Sequence, residues 1–148
     1  MIDNIDRRLL ALLQADARTG YQELGAAVGL SGPAAYQRVR KLEEAGVLTG
    51  YHAAVHPAAI GRHVVAFLRA VPPATAADLR RLEETWRAMP DVVECHLLTG
   101  PVGYLLKLRL REIRELEGHL EALRRAGCTV TAEIAVSTAF ERSSLPVA

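Results

Sequence analysis

The chain has no surplus of charge of either sign: 18 lysines and arginines stand against 17 aspartates and glutamates, a formal net charge of +1 over 148 residues. This excludes the strongly basic composition of a typical nucleic-acid-binding domain, so any affinity for a polyanion would have to come from where individual cations sit. There are only two cysteines, Cys95 and Cys128, in apolar runs without metal-ligand spacing. No disulfide framework is implied, and both thiols are expected to be buried in a reducing compartment. His52, His56 and His63 lie close in sequence, but their offsets match no zinc motif, and no metal is assigned. No segment approaches the roughly 20 apolar residues of a membrane span. The opening Met1-Ile2-Asp3-Asn4 has neither a basic region nor an apolar run of signal length, so a cytoplasmic protein with no membrane association is expected. Half the residues are apolar, enough to core one ordinary domain or two small ones.

Against that background, one stretch carries a pattern: Leu30-Ser31-Gly32-Pro33-Ala34-Ala35-Tyr36-Gln37-Arg38-Val39-Arg40-Lys41-Leu42. Ser31 suits an N-cap, its hydroxyl accepting from an otherwise orphaned N–H, and Pro33 is tolerated in a first turn. At about 100° per residue, Ala35, Val39 and Leu42 share one side of the helix, Pro33, Tyr36, Gln37, Arg40 and Lys41 fall opposite, and Arg38 lies on the flank. One side can pack, and the other carries groups that hydrogen-bond bases and phosphates. Two shorter helices precede it. Asp3 can cap a helix over 4–15, with Ile5, Leu9, Leu12 and Leu13 as its apolar stripe, and a second runs from Tyr21 to Val28 with Leu24 and Val28 inward. Gly29-Leu30-Ser31 is then the tight turn of a helix-turn-helix, and Gly46 closes the third helix. Residues 1–50 hold six basic and six acidic side chains, so a single copy should bind DNA poorly.

After Gly46 the residues Val47–Val55 read as a strand, the wing of a winged helix-turn-helix, and residues 51–61 as strand and linker. From residue 62 the order is strand (63–71), helix (76–89), strands (92–98 and 104–110), helix (113–125) and strand (128–136), a ferredoxin-like βαββαβ arrangement over 62–148. Leu79, Leu82, Trp86 and Met89 in one helix match Ile113, Leu116, Leu120 and Leu123 in the other, as expected for two helices on one sheet face. The strands alternate, with Tyr104, Leu106, Leu108 and Leu110 opposite Leu105, Lys107 and Arg109, and with Val130, Ala132, Ile134 and Val136 opposite Thr129, Thr131 and Glu133. The face without helices keeps Val65, Phe67 and Leu105, with Glu94, Glu133, Arg69, Lys107 and Arg109 available for ion pairs. It is a candidate dimer surface. The fold class is thus α+β, an N-terminal winged helix-turn-helix (1–50) joined to a C-terminal ferredoxin-like domain.

The run from Asp16 to Ser31, then Gln37-Arg-Val-Arg-Lys-Leu-Glu-Glu-Ala-Gly-Val-Leu-Thr-Gly-Tyr51, with the opening Ile2-Asp3-Asn4-Ile5-Asp6, resembles the Lrp/AsnC family of transcriptional regulators. The resemblance covers essentially the whole chain. It implies double-stranded DNA as partner, dimers that assemble further into tetramers or octamers, and an amino-acid or other small-molecule effector. In that family the loop between the two central strands carries a Thr/Ser-Gly-x-x-Asp pattern and forms part of the effector site. Here Thr99 and Gly100 match that pattern, Gly103 stands where the acid is expected, and Thr99, Gly100, Pro101, Gly103 and Tyr104 are the candidate effector-binding residues. Without that carboxylate the loop lacks an acceptor for a ligand's ammonium group.

The reading that follows is a sequence-specific DNA-binding regulator, with base contacts from Tyr36, Gln37 and Arg40, phosphate contacts from Arg38, Lys41 and Ser31, and Pro33 on the same face. Two alternatives stand beside it. Decarboxylases of a haem precursor, siroheme, share a related two-domain architecture, but the chain shows no paired acid and base and no activated nucleophile, so no enzyme activity and no cofactor is expected. The other is a small-molecule-binding oligomer that does not bind DNA, which the neutral charge of residues 1–50 favours.

Overall fold

Local signals start and stop the first three helices. In the computed structural model, which describes residues 2–73, 76–100 and 103–147 and only the backbone at 76–78, α1 spans Asn4–Ala15, α2 Tyr21–Val28 and α3 Gly32–Glu44. Asp3 forms a capping box: its Oδ1 accepts from the Asp6 N–H at 2.8 Å and the Asp6 carboxylate accepts from the Asp3 N–H at 3.1 Å. Ser31 Oγ accepts from the Ala34 N–H at 3.3 Å at the start of α3. Gly29 ends α2 at φ 74°, left-handed backbone that only a residue without Cβ adopts freely. Leu9, Leu13, Leu24, Val28, Ala35 and Val39 close the core of this unit, with Ile5, Leu12, Leu30 and Leu48 packed against it.

The wing is absent from this segment. The Val47 and Leu48 N–H groups both donate to the Leu42 carbonyl, at 2.9 and 3.1 Å, closing the end of α3 instead of opening a ladder. Residues 49–56 have irregular backbone, because a strand needs a neighbour for its N–H and C=O groups and no described residue supplies one. A single turn of 3-10 helix, Pro57–Ile60, follows.

The second unit, Val55–Ala139, is built on a four-stranded antiparallel sheet of order β2-β3-β1-β4, where β1 is Val64–Val71, β2 Val92–Leu98, β3 Gly103–Leu110 and β4 Thr129–Ile134. The helices α4 (Ala76–Arg87) and α5 (Glu115–Arg125) supply Leu82, Trp86, Leu116 and Leu123 to one face. There they bury Ala66, Leu68 and Ala70 of β1 and Tyr104, Leu106, Leu108 and Leu110 of β3. Trp86 meets Tyr104 edge-on, with ring centroids 5.0 Å apart. The expected alternation of β3 is therefore the one observed.

Four expectations are corrected at the margins. Ile113 lies before α5 and is 59% exposed, because the Glu115 carboxylate accepts from the Arg111 N–H at 2.9 Å and holds the intervening residues in a turn. Cys95 is exposed, since β2 is an edge strand that α4 covers incompletely, whereas Cys128 is buried. Val136 is fully exposed, past the end of β4. The tail Phe140–Ala148 groups with the N-terminal unit, Met1–Ala54, rather than with the sheet. There Leu145 offers a backbone donor and acceptor to the amide of Gln14: Gln14 Nε2 donates to Leu145 O at 3.0 Å and Leu145 N–H donates to Gln14 Oε1 at 2.6 Å.

A polar cluster anchors the start of the sheet unit. Asp91 accepts from Arg62 and lies 3.0 Å from His119 Nε2, while Arg62 also donates to the Arg109 carbonyl at 3.0 Å. Burial alone would raise the Asp91 carboxyl, but the hydrogen bonds from Arg62 and His119 outweigh it and hold the group below its ordinary value of 3.8. A carboxylate depressed by folding contributes stability above the unfolded-state value and loses it as pH falls through the folded value. Asp91→Ala should therefore cost about 2–3 kcal/mol near neutral pH. Asp91→Asn should flatten the acid limb of the stability profile below about pH 4. Urea melts of both variants from pH 7 down to pH 2.5 test this, and an unaltered acid limb in the Asn variant would refute it.

Candidate nucleic-acid interface

The turn between α2 and α3 is set by close packing of backbone. A Cβ on Gly25 would lie 2.7 Å from the Leu30 carbonyl oxygen, so α2 approaches the turn only because residue 25 has no side chain. This fixes the orientation of α3. Ala35, Val39 and Leu42 are buried, at 0%, 0% and 5% exposure, while Ser31, Pro33, Tyr36, Gln37, Arg40 and Lys41 are all exposed. Six of the seven residues expected to face DNA thus share one open face.

That face is partly ordered in advance. Tyr36 is edge-on to Tyr21 of α2, with centroids 5.0 Å apart, which restrains its ring. Arg40 Nη2 donates to Glu44 Oε1 at 3.1 Å, one turn along the helix and in full contact with solvent. Such an exposed pair is weak, and a phosphate or a guanine edge can replace the carboxylate at little cost. Tyr51 donates to Glu43 Oε1 at 2.8 Å, and burial together with that carboxylate pushes its phenol upward.

Arg38, the seventh, is engaged elsewhere. Its Nη1 donates to Asp3 Oδ2 at 2.6 Å and to Asp6 Oδ1 at 2.8 Å, so the capping box of α1 doubles as the receptor for a cation on α3. The Asp6 N–H and then the Arg38 guanidinium hold the Asp3 carboxyl below its ordinary range. Arg38 thereby ties the first helix to the third, where the sequence suggested a phosphate contact. The short spacing of Asp3 and Asp6 is visible in the sequence, but their partner 32 or more residues away is not.

In the sheet unit, the loop expected to hold an effector is only partly described. Thr99 and Gly100 are exposed, Gly103 is buried as the first residue of β3, and Pro101 lies outside the described residues. Tyr104 points into the helix layer, where it is 2% exposed, and its hydroxyl donates to Glu83 Oε1 of α4 at 2.5 Å. Burial and that carboxylate push the phenol up to about 12. Sequence spacing gave no sign that Glu83 reaches this strand. Among the described residues, no group of three or more His, Cys, Asp or Glu could hold a metal ion, and no helix is long and apolar enough to cross a membrane.

Comparison with known proteins bears on both units. Residues 2–43 match the AsnC-type helix-turn-helix domain, and residues 65–145 match the Lrp/AsnC ligand binding domain. The HTH-type transcriptional regulator LrpA of Mycobacterium tuberculosis is 34% identical over 98% of this chain and 97% of its own. The leucine-responsive regulatory protein of Escherichia coli is 34% identical over 76% of this chain and 69% of its own. Among solved structures, the transcriptional regulator NMB0573 from Neisseria meningitidis, in complex with L-Met, superposes with a TM-score of 0.90 at 25% identity, covering 99% of this chain and 97% of that one.

The clamp on Arg38 makes a prediction that distinguishes it from a phosphate contact. Arg38→Ala and Asp6→Asn should lower the thermal midpoint by similar amounts, and neither should change the slope of log affinity against log salt in DNA titrations. A slope reduced by about one in Arg38→Ala alone would instead mark a phosphate contact.

Proposed function

The chain belongs to the Lrp/AsnC family and is a sequence-specific DNA-binding transcriptional regulator, and we propose that it reads its operator through Tyr36, Gln37 and Arg40 of α3. The family is one of regulators, not enzymes. The observation that carries the assignment of these residues is their common exposure beside a buried Ala35-Val39-Leu42 stripe, the arrangement in which the second helix of the motif enters the major groove. Arg40 offers the fork that suits a guanine edge, Gln37 the amide that suits adenine, and Tyr36 a surface for a thymine methyl. Lys41 and Ser31 flank them as phosphate contacts, with Pro33 shaping the entry to the helix.

The protein works as an oligomer in the cytoplasm, two helix-turn-helix units addressing the two halves of an inverted repeat. Two copies are what a motif with no net charge requires, because each contributes few phosphate contacts. The surface we assign to pairing is the sheet face without helices, around Val65, Phe67 and Leu105, and the dimers assemble further into tetramers or octamers. Support comes from the residues themselves: Phe67 and Leu105 stay partly exposed on this face although Val65 is already buried within the chain, and Lys107 Nζ donates to Glu94 Oε1 at 2.8 Å at the margin. Ligand modulation enters through the sheet unit. A complex with L-Met is known for the Neisseria meningitidis protein, and an amino acid or similar small molecule is the class proposed here.

In vitro selection of bound DNA, scored for an inverted repeat, tests the reading as a whole; recovery of no shared sequence would refute it. Arg40→Ala should weaken binding to the selected site by about 10–100-fold and leave folding and assembly unchanged. Phe67→Lys should convert the full chain toward monomer in sedimentation and weaken operator binding with it. Operator binding by a stable monomer would contradict the proposed role of the sheet face.

A further inference from the structure

On the helix side of the sheet, the edge strand β2 and helix α4 open a cleft of about 400 Å³, within the range of small-molecule sites. Its floor is apolar. Val93 and Leu97, 49% and 59% exposed, line it because no helix covers this end of the edge strand. Its rim carries opposite charges one helical turn apart, Glu83 and Arg87 of α4, while the carboxylate of Glu94, also in the lining, is taken up by Lys107 at 2.8 Å and His96 at 3.2 Å. The Tyr104 hydroxyl fixes one oxygen of Glu83 and leaves the other available. Arg87 makes no hydrogen bond or ion pair with any described residue.

These features select a ligand. A simple anion would be repelled by Glu83 and a simple cation by Arg87, and burying either without its partner is costly. A zwitterion satisfies both, its carboxylate taking two N–H donors from the guanidinium and its ammonium donating to the carboxylate. We propose that this cleft binds a small zwitterion with an apolar side chain, an aliphatic α-amino acid, through Arg87, Glu83 and the Val93–Leu97 floor. The site is separate from the loop at 99–104, and Glu83 supplies the acid that position 103 lacks. The inference rests on the reading of the sheet unit as ligand-modulated, and names where and through what chemistry.

The test is calorimetric titration of the full chain with L-leucine and L-methionine, alongside leucinamide, which lacks the carboxylate, and 4-methylpentanoate, which lacks the ammonium. Both amino acids should bind, and each single-charge analogue should bind at least about 10-fold more weakly. Glu83→Gln and Arg87→Ala should each weaken leucine binding by about 10-fold or more, with thermal midpoint, oligomeric state and ligand-free operator affinity unchanged. Arg87 is exposed and does not touch the Tyr104–Glu83 hydrogen bond, so its variant remains informative if Glu83→Gln disturbs Tyr104. No binding by either amino acid, equal binding of the analogues, or loss of binding in Thr99→Val with none in Arg87→Ala would each overturn the cleft. Intact operator binding in those same preparations would leave the DNA-binding reading standing while the cleft falls.

Discussion

Side chains on β3 alternate between two faces, and the chain has helices for only one of them. Tyr104, Leu106, Leu108 and Leu110 complete a core with α4 and α5, and the same backbone necessarily turns Leu105, Lys107 and Arg109 the other way. The register β1 to β3, with Phe67 opposite Lys107 and Arg69 opposite Leu105, therefore sets the core and the opposite face in a single step. A slip of one residue would exchange them, which is why a half-covered sheet is strongly specified. On that other side Phe67 and Leu105 stay partly exposed beside Arg69, Lys107 and Arg109, while Val65 is buried.

In the N-terminal unit the scarce quantity is cationic charge. Of the six basic side chains in residues 1–50, Arg38 is held by Asp3 and Asp6, and Arg8 donates to the Ala27 carbonyl at 2.7 Å. These hold the three helices together in a domain too small to rely on apolar burial alone. Arg40 and Lys41 remain on the exposed face of α3, where Arg40 is tethered by the exposed Glu44 carboxylate and by its neighbour Tyr36. The division is physical: Arg38 and Arg8 are engaged inside the domain, and Arg40 and Lys41 are the cations left on the exposed face of α3.

Features that depend on local chemistry were legible in the sequence. The caps at Asp3 and Ser31, the left-handed Gly29, the apolar stripe of α3 and the alternation of β3 each follow from residues within a few positions of one another. Features that depend on a distant partner were not. Val47–Val55 has the composition of a strand but no neighbour among the described residues to pair with, and Ile113 fits a helical period that Glu115 interrupts. The tail's return to Gln14, the Arg38 clamp and the contact of Glu83 with Tyr104 join residues 131, 32 to 35 and 21 positions apart, and a period of 2 or 3.6 says nothing about those.

The same scarcity of charge bears on the proposed assembly. A helix-turn-helix with few phosphate contacts has a shallow salt dependence and a low affinity per copy, so most of the operator affinity is the effective concentration that assembly confers on the second copy. Anything that shifts assembly through the sheet unit then moves DNA affinity by a large factor without touching α3. A strongly basic motif would lose this lever, because each copy would stay bound on its own. Near-neutrality, which at first counts against DNA binding, is thus the composition under which a ligand that acts only on assembly would have the greatest control over it. By linkage the control runs both ways: an operator that demands a particular assembly raises the affinity of that assembly for the ligand that favours it.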